Sequence, residues 1–335
     1  MTPLADHLQI ISTLDMPRPD WLALRANRIG GSDCGAILGL NPYMSSLELF
    51  HMFVGDAGSM YSKGSNMAML MGNKLEPIAL DLYRHWGGHP DALVHNLELG
   101  QQEQTATAGS CLVVNPKYPH LHASPDGFIH QAHDGRTDGI LEIKTIAGLA
   151  ADKYEGGLPP SYLIQLQQYL LVCEKSWGEF AVLKDGRSFE VLRVEANAGI
   201  QQTILATTTE FWRRVSQARD VWADVLIPDQ DKQHHIARLE PEPDESPAYE
   251  SYLKARWRTD YQLRPGSDEE YELALEVEQL QGVTKEMASH LQGSKNRLLK
   301  LLDGCDGVEW PNRGKVTNRA DSRGVRSLRL SLKKE

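Results

Sequence analysis

The stretch from Gly139 to Thr145, GILEIKT, constrains the fold more than any other segment of the chain. Its apolar residues favour a buried strand, yet Glu142 and Lys144 stand two residues apart among them. Side chains alternate along a strand, so both charges point to the same face. Buried charges need polar partners. Other parts of the chain therefore have to bring polar groups to this strand.

Length and composition are those of a globular protein with one large domain, or with a domain and an appendage. The chain has 335 residues, of which 41% are hydrophobic and 24% charged. No apolar run reaches the roughly 18 residues that span a bilayer, and the N-terminal residues lack a signal-peptide pattern. We therefore expect a cytoplasmic protein with no membrane partner. The cysteines Cys34, Cys111, Cys173 and Cys305 form no C-x-x-C pair, which argues against a zinc knuckle or an iron-sulfur cluster.

Charge is distributed unevenly along the sequence. The formal net charge is −10, but residues 240–281 hold twelve acids against four bases, and residues 311–335 hold eight bases against two acids. A local basic patch, rather than the total charge, decides whether a polyanion can dock. The acidic total therefore does not exclude a nucleic-acid partner.

Alternating helical and strand patterns predict an α/β (α+β) fold. Ser32 is the expected N-cap of a helix that ends near Gly39, and Glu76 is expected near the start of the next helix. Two short strands flanking Asp-Gly turns are predicted within 121–130 and 139–145, and a hairpin is predicted at Asp185-Gly186. A helix begun by prolines lies between them at 159–173, and a long helix at about 199–225 closes the domain.

Three regions are predicted from these patterns. A main domain covers residues 1–228, an acidic Pro-rich linker covers 229–248, and a helical extension covers 249–335 and ends in a basic strand segment. Within the extension, Ser267 and Glu270 form a capping box. The helix that follows has near-heptad apolar spacing and is expected to be interrupted at Gly282 and Gly293. The alternating leucines of 328–332 predict a half-buried strand.

A metal site is predicted around Glu142. If the segment from Gly127 to Lys144 is a hairpin, Asp126 of the SPDG sequence comes to lie beside Glu142 and Lys144. Hard cations such as Mg²⁺ take oxygen ligands, and two carboxylates on neighbouring strands supply them. The carbonyl of Ile143 is a third candidate ligand, and Glu76 either completes this site or holds a second metal.

These groups suit phosphodiester hydrolysis, in which a metal activates water and neutralises charge on the phosphoryl oxygens. Lys144 would orient the attacking water and stabilise the transition state. Gln165 and Tyr169, four residues apart on one helix face, would position a phosphate or water. Each feature has a plainer interpretation when taken alone. Glu142 and Lys144 would be an exposed ion pair, the PDG sequence would be a turn, and Gln165 and Tyr169 would be surface and packing residues of a helix. The ordered combination favours the catalytic interpretation.

The ordered set of Glu76, the PDG sequence of Asp126, EIK at Glu142 to Lys144, and Gln165 with Tyr169 resembles the PD-(D/E)xK nuclease superfamily. More narrowly, the segments RIGGSDCGAILGLNPY, MGNKLEPIA, HLHASPDGFI, GILEIKT and PPSYLIQLQQYLLV resemble the YqaJ-type viral recombinase family, which is related to lambda exonuclease. The resemblance covers about residues 21–196.

The resemblance implies a restriction-endonuclease-like core with a central mixed β-sheet flanked by helices, here followed by a helical and β C-terminal extension. It also implies an Mg²⁺-dependent exonuclease, with Mn²⁺ as a substitute, that digests linear double-stranded DNA from 5′ to 3′. The 3′ overhangs would pass to a single-strand annealing protein. A homo-oligomer, often a ring-shaped trimer, is implied as well.

The same resemblance implies a role for the first motif. Arg28, Ser32 and Asp33 lie at a glycine turn and a predicted helix N-terminus, where an anion is favoured, and the anion would be the 5′ phosphate of a DNA end. Asp33 fits less well, because a carboxylate repels phosphate unless it caps the helix or binds metal. The basic terminal segment either contacts the DNA backbone or is an edge strand protected by charge.

Two alternatives remain open on the sequence alone. An endonuclease of the same fold, restriction-like or specific for branched DNA, would use the same residues. A non-cleaving DNA-end-binding protein would belong to another class, but it would have no need for a lysine beside two acids.

Overall fold

The computed structural model describes residues 4–55, 67–86, 105–132, 134–146, 158–256, 264–320 and 324–333. The chain divides into two units, Met1–Arg258 and Thr259–Glu335. Every predicted site residue belongs to the first unit. Within the described ranges, no helix is long and apolar enough to cross a membrane.

The first unit is a mixed sheet with helices against it. Its helices are α1 Arg18–Arg25, α2 Gly31–Ile37, α3 Ser46–Val54, α4 Met67–Trp86, α5 Pro160–Val172, α6 Ala198–Ala223, α7 Asp229–Ala237 and α8 Pro247–Arg256. Its strands are β1 Gln9–Ser12, β2 Thr105–Ala108, β3 Cys111–Val114, β4 Gly127–Gln131, β5 Gly139–Ile146, β6 Trp177–Lys184 and β7 Ser188–Glu195. The main sheet has the order β2-β4-β5-β6-β7, in which β5 and β6 are parallel and the other neighbours antiparallel. The predicted α/β fold with a central mixed sheet is therefore confirmed.

The alternation of β5 assigns its side chains to two packed layers. Ile140 and Ile146 belong to the core cluster that also contains Leu166 of α5, whereas Leu141 and Ile143 belong to the cluster on the α4 side. Glu142 and Lys144 share the parity of Ile140, so they face the α5 side. The strand thus presents its two charges to a helix.

Local sequence signals explain the elements that surround this strand. Helix α5 begins at Pro160 with Pro159 as its N-cap, as predicted, because proline is compatible with the first helical turn. The β6–β7 hairpin turns at Asp185 and Gly186, whose φ angles of 51° and 62° are those that an Asp-Gly turn adopts.

Two predicted helix starts are wrong. The N-cap of α2 is Gly30, and Ser32 lies inside the first turn. Helix α4 begins at Met67, so Glu76 lies near its middle, and the helix continues through Pro77. In the sequence, Asn66 directly precedes Met67 and is a favoured N-cap residue type, and this start signal was overlooked.

Residues 229–248 contain folded structure. They include α7, whose Ile236 is 6% exposed and belongs to the core cluster of the first unit. The division between the two units falls after Arg258. Acidic and proline-rich composition indicated a linker, but one buried apolar side chain attaches this segment to the core.

The second unit consists of a long helix and a small sheet. They are α9 Asp268–Leu302, β8 Gly307–Trp310, β9 Gly314–Ala320 and β10 Arg326–Leu332. The capping box of Ser267 and Glu270 is present, with Ser267 N–H donating to Glu270 over 2.8 Å and Glu270 N–H donating back over 3.2 Å. Helix α9 runs without interruption through Gly282 and Gly293, contrary to prediction, because single glycines cost only about 1 kcal/mol in a helix.

The terminal strand β10 forms as predicted and pairs antiparallel with β9. Its leucines are less buried than expected, since Leu330 and Leu332 are 55% and 53% exposed. Residues 321–323 and 334–335 of the basic segment lie outside the described residues.

Candidate active site

The β4–β5 hairpin brings Asp126 next to Glu142. Gly127 pairs with Leu141 across the hairpin, so the residues one step further out, Asp126 and Glu142, are placed opposite each other. The carboxylate of Asp126 accepts a hydrogen bond of 2.7 Å from the backbone N–H of Ile143. This contact holds Asp126 against the strand that carries Glu142.

Lys144 is held by three groups. Its Nζ donates to Glu142 Oε1 over 2.7 Å and to Gln165 Oε1 over 3.0 Å. It also lies 4.6 Å from the ring centre of Tyr162, within the range of a cation–π interaction. The Lys144 side chain is 17% exposed, so a charged ammonium is fixed at a mostly buried position with one open side.

Helix α5 supplies the amide and the phenol that were expected to meet the strand. Gln165 Nε2 donates to Glu142 Oε1 over 2.6 Å and to Tyr169 Oη over 3.1 Å. Close approach to Tyr169 also explains a glycine in α2, because a Cβ on Gly31 would lie 2.5 Å from the Tyr169 ring. The glycine turn thus allows α2 to pack against the helix that carries the site.

The carboxyl groups of the site are strained electrostatically. Burial and the nearby Asp126 raise the pKa of Glu142 to about 8. Burial also raises the pKa of Asp126, although Lys144 opposes the shift. Burial and Asp126 raise the pKa of Glu76. Burial is the largest cause of all three shifts and favours the protonated forms of these carboxyl groups.

The pKa of Lys144 is the outcome of opposing effects. Burial lowers it, but Glu142 and Asp126 together outweigh burial, and the net shift is upward. The ammonium is therefore charged at neutral pH.

One oxygen of Glu142 fits a cation. Glu142 is 2% exposed, and its Oε2 is buried without a hydrogen-bond partner among the described residues. A buried oxygen without a partner is costly, and a divalent cation beside Asp126 would satisfy it. No three His, Cys, Asp or Glu side chains of the described chain are arranged as a ready-made metal cage. The ion would therefore need water or substrate oxygens as well, which is typical of Mg²⁺.

The predicted catalytic and metal-binding residues share one cavity of about 470 Å³. The cavity is lined by Glu76, Asp126, Glu142, Ile143, Lys144, Gln165 and Tyr169. Ser32 also lines the cavity, so one residue of the first motif lies at the same place. Arg28 and Asp33 do not line the cavity.

The other two residues of the first motif have different surroundings. Asp33 accepts a hydrogen bond of 2.8 Å from the N–H of Gly30, which is the capping role that a carboxylate performs at a helix start. Nε of Arg28 is buried, and within the described residues it has no hydrogen-bond partner. Arg28 thus keeps an unused donor, whereas Asp33 is engaged by its own helix.

Sequence reasoning missed several groups beside the cavity. Arg25, which lies 4.5 Å over the ring of Trp21, lines it, as does Ser124, whose buried Oγ has no partner among the described residues. Burial, Arg25 and Arg28 lower the pKa of His122 to about 3, so this histidine is neutral. Arg25 stands four residues after Trp21 on α1, a helical spacing that signalled their contact, but no local pattern tied α1 to the strands.

A family model described as the YqaJ-like viral recombinase domain matches residues 20–176. The protein YqaJ of Bacillus subtilis is 28% identical over 201 residues, which are 59% of this chain and 56% of YqaJ. A protein of African swine fever virus is 32% identical over 130 residues, which are 38% of this chain and 32% of the viral protein. The match thus spans about half of one relative and a third of the other.

Among solved structures, the alkaline exonuclease LHK-Exo from Laribacter hongkongensis is 19% identical. The similarity covers 66% of this chain and 99% of that protein, with a TM-score of 0.46. At this level of similarity, the assignment of the fold depends on the sheet and helices described above.

Proposed function

We propose, from the match of residues 20–176 to the YqaJ-like viral recombinase domain model, that the protein is a metal-dependent DNA nuclease of recombination. More narrowly, the activity is exonucleolytic digestion of linear double-stranded DNA from 5′ to 3′, which leaves 3′ single-stranded overhangs. The observation that carries the proposal is the meeting of Asp126, Glu142 and Lys144 at one partly open cavity.

A purely structural role explains this cluster poorly. A structural ion pair in the interior is expected to satisfy all its polar atoms. Here Glu142 Oε2 has no partner in the described chain, and two further carboxyl groups have raised pKa values beside it. Such strain is typical of functional sites.

The metal ligands that we propose are Asp126, Glu142 and the carbonyl of Ile143. Glu76 either completes this set or holds a second ion. Mg²⁺ is the proposed metal, with Mn²⁺ as a substitute, because the donor atoms are hard oxygens. When bound, the metal supplies a water of lowered pKa and neutralises charge on the phosphoryl oxygens.

Lys144 acts as a charged donor. Its raised pKa keeps the ammonium protonated at neutral pH, so it does not serve as a general base. From its position between Glu142 and Gln165 it orients the attacking water and stabilises the negative charge that develops on the phosphate. Gln165 and Tyr169 hold Glu142 and Lys144 in this arrangement.

The 5′ phosphate of a DNA end would be bound by Arg28 and Ser32. The partnerless Nε of Arg28 supports this role, since guanidinium groups bind phosphate through paired N–H donors. Asp33, first grouped with them, contributes through the hydrogen bond that caps α2. It fixes the turn and does not contact phosphate.

The proposed partners are duplex DNA ends and a single-strand annealing protein that receives the 3′ overhang. The proposed setting is the cytoplasm of a bacterial or phage-infected bacterial cell. These statements depend on the family relationship.

Self-association is proposed through α9. Residues at alternating spacings of four and three form a seam: Leu273, Val277, Leu280, Thr284, Met287, Leu291, Ser294, Leu298 and Leu301. Its members Leu273, Val277, Leu280, Met287 and Leu291 are 48–64% exposed. Such a heptad seam pairs with another helix in a coiled coil.

The charges of α9 favour an antiparallel pair of copies. Residues 268–283 carry six acids and no lysine or arginine, whereas residues 284–302 carry four lysines or arginines and one acid. The helix dipole favours such charges only in the first and last turns, but this asymmetry extends through both halves. The ring-shaped trimer implied by the resemblance stays a prediction.

A comparison of DNA substrates tests the nuclease proposal. Linear duplex with or without a 5′ phosphate, and covalently closed circular duplex, are incubated with the full chain in Mg²⁺ or in EDTA. We expect release of mononucleotides from linear duplex in Mg²⁺, faster with a 5′ phosphate, and no reaction in EDTA. Arg28→Ala is expected to reduce the preference for phosphorylated ends more than the rate on unphosphorylated ends.

Each contrary result has a definite meaning. Cleavage of the closed circle would replace the exonuclease with an endonuclease of the same fold. Binding to DNA ends without cleavage in any divalent metal would overturn the enzyme and favour an end-binding protein.

A further inference from the structure

The small sheet of the second unit has two chemically different faces. Directly opposed residues of antiparallel strands lie on the same face. Val308 pairs with Val316 and Val316 with Leu330, whereas Glu309 pairs with Lys315 and Lys315 with Ser331. The register therefore separates an apolar face from a polar one.

The apolar face is only partly buried, since Leu330 and Leu332 on it are 55% and 53% exposed. Its members are Val308, Trp310, Val316, Leu328, Leu330 and Leu332. Val316 on this face is 2% exposed, and Leu302 at the end of α9 is 3% exposed. The opposite face is left to solvent.

That opposite face, called the basic face below, combines cations with hydroxyl groups. By register it carries Lys315, Thr317, Arg319, Ser327, Arg329 and Ser331, with Glu309 at one edge. Arg313 and Lys333 extend it, since the Lys333 N–H donates to the Arg313 carbonyl over 3.0 Å. The five cations outnumber the single acid.

Within the described residues, the two faces of this sheet differ in whether their cations form ion pairs. Of the arginines in β10, Arg326 on the other face pairs with Asp306 at 3.0 Å. Arg329 on the basic face, and likewise Lys315 and Arg319, make no ion pair within the described residues. Their charges are available to an outside partner.

Protection of a sheet edge does not account for this pattern. Edge strands carry charge to prevent pairing with other chains, which predicts cations on the outer strands. The sheet order is β10-β9-β8, so β9 is central, yet it contributes Lys315 and Arg319 to the same face as Arg329. A whole face, and not an edge, is basic.

The chemistry of this face fits the sugar–phosphate backbone of nucleic acid. Lysine, arginine, serine and threonine supply most protein contacts to phosphate oxygens. Alternate residues of a strand are about 6.6 Å apart on one face, so Lys315, Thr317 and Arg319 form a row in which a hydroxyl lies between two cations. Such a row can follow a line of phosphates. In a chain with net charge −10, such a row is a local exception.

We propose that the basic face is a second DNA-contact surface that binds the phosphate backbone without reading sequence. This inference rests on the proposed nuclease function, because it assigns DNA as the polyanion. The surface adds affinity for duplex and takes no part in the chemical step.

Salt-dependent binding by the full chain tests the proposal. The affinity for labelled duplex is measured by fluorescence anisotropy in EDTA over a series of KCl concentrations. The double variant Arg319→Gln, Arg329→Gln is compared with the unmodified chain and with Arg326→Gln, which removes the same kind of charge from the other face of β10. Each lost phosphate contact lowers the slope of log K against log salt by about 0.9.

We expect the slope of the double variant to fall in magnitude by about 2, and its low-salt Kd to rise roughly tenfold or more. The Arg326→Gln chain should keep the original slope. Arg319→Lys with Arg329→Lys, which preserves both charges, should keep it as well. Cleavage at saturating duplex should have an unchanged kcat in every variant.

Other outcomes overturn the inference or the proposed function separately. An unchanged slope in the double Gln variant, or an equal loss in the double Lys variant, would overturn the basic face as a phosphate-binding surface. Absence of cleavage in any metal, with the expected change of slope, would overturn the nuclease and leave the DNA contact in place. Should the double Gln variant fail to fold, Arg329→Gln alone, on the exposed edge strand, is expected to lose half of the change in slope.

Discussion

Lys144 is the residue on which the proposed chemistry depends most directly. It is held between Glu142 and Gln165 at 2.7 and 3.0 Å, next to the ring of Tyr162. An ammonium with two fixed acceptors has little freedom, and this preorganisation allows it to stabilise developing charge without rearrangement.

Replacing Lys144 with Ala should lower the rate of DNA cleavage about 100- to 1,000-fold, because the loss of one preorganised donor to the developing charge costs that much. Duplex affinity in EDTA should change little. Single-turnover kinetics measure the rate. The matched control is Lys184→Ala, which removes a lysine of β6 that pairs with Glu190 of β7. Rapid cleavage by Lys144→Ala would show that another group performs this role.

Tyr162 is predicted to be a positioning residue for Lys144. Removal of its ring in Tyr162→Leu should lower kcat roughly 2- to 30-fold with KM unchanged, since a cation–π contact contributes about 0.5–2 kcal/mol. Tyr162→Phe keeps the ring and should keep kcat. Equal losses in both variants would assign the effect to the hydroxyl and contradict the cation–π role.

At the scale of elements, α5 and the β4–β5 hairpin assemble the site. The helix presents Gln165 and Tyr169 four residues apart on one face, and the hairpin register sets Asp126 opposite Glu142. Both relations follow from local periods, and the sequence predicted both. Helix α9 shows the same rule in the second unit, where a heptad seam is left exposed.

Acidic substitutions in this seam should separate the copies of the chain. Leu280→Glu with Met287→Glu places charges at the centre of the proposed coiled coil, where burial of an unpaired carboxylate is costly. Light scattering after gel filtration should then give the mass of one 37.5 kDa chain. Gln279→Glu with Ser289→Glu adds the same charge outside the seam and should leave the larger assembly intact.

Two results would count against that interface. A single-chain mass for the unmodified protein would exclude self-association, and an assembly that survives the Leu280 and Met287 substitutions would place the contact elsewhere.

For the whole molecule, the site is a cost to stability that a metal can offset. The carboxyl groups lie in the first unit between a five-stranded sheet and its helices, and burial raises their pKa values. The folded state favours protonated Glu142, with a pKa of about 8 against a usual 4.5. Proton binding to Glu142 therefore adds stability to the folded state. This added stability is fully present below about pH 4.5 and is lost as the pH rises through about 8.

Metal binding should therefore stabilise the protein more at about pH 9 than at about pH 5, because Mg²⁺ competes with the proton for the same oxygens. Thermal unfolding in EDTA and in Mg²⁺ at both pH values measures the difference. Glu142→Gln should flatten the pH dependence in EDTA and reduce the effect of Mg²⁺. An equal rise of Tm at both pH values would contradict the proposed linkage.

Much of the site was predictable because its parts are local. The strand with Glu142 and Lys144, the helix with Gln165 and Tyr169, and the hairpin that returns Asp126 each depend on spacings of two or four residues. The predicted N-cap at Ser32 was wrong because the helix starts after Gly30, whose N–H donates to the Asp33 carboxylate. The predicted linker at 229–248 was wrong because Ile236 is buried in the core.

The sequence by itself determined which side chains share a strand face or a helix face in this protein, because backbone geometry fixes those periods. Only the tertiary structure decided that Arg25 reaches the cavity, that Tyr162 lies against Lys144, and that Glu142 Oε2 is buried without a partner in the described chain. It also decided that cations of β9 and β10 share one face. Such contacts depend on packing and strand register between distant segments, which no local period specifies.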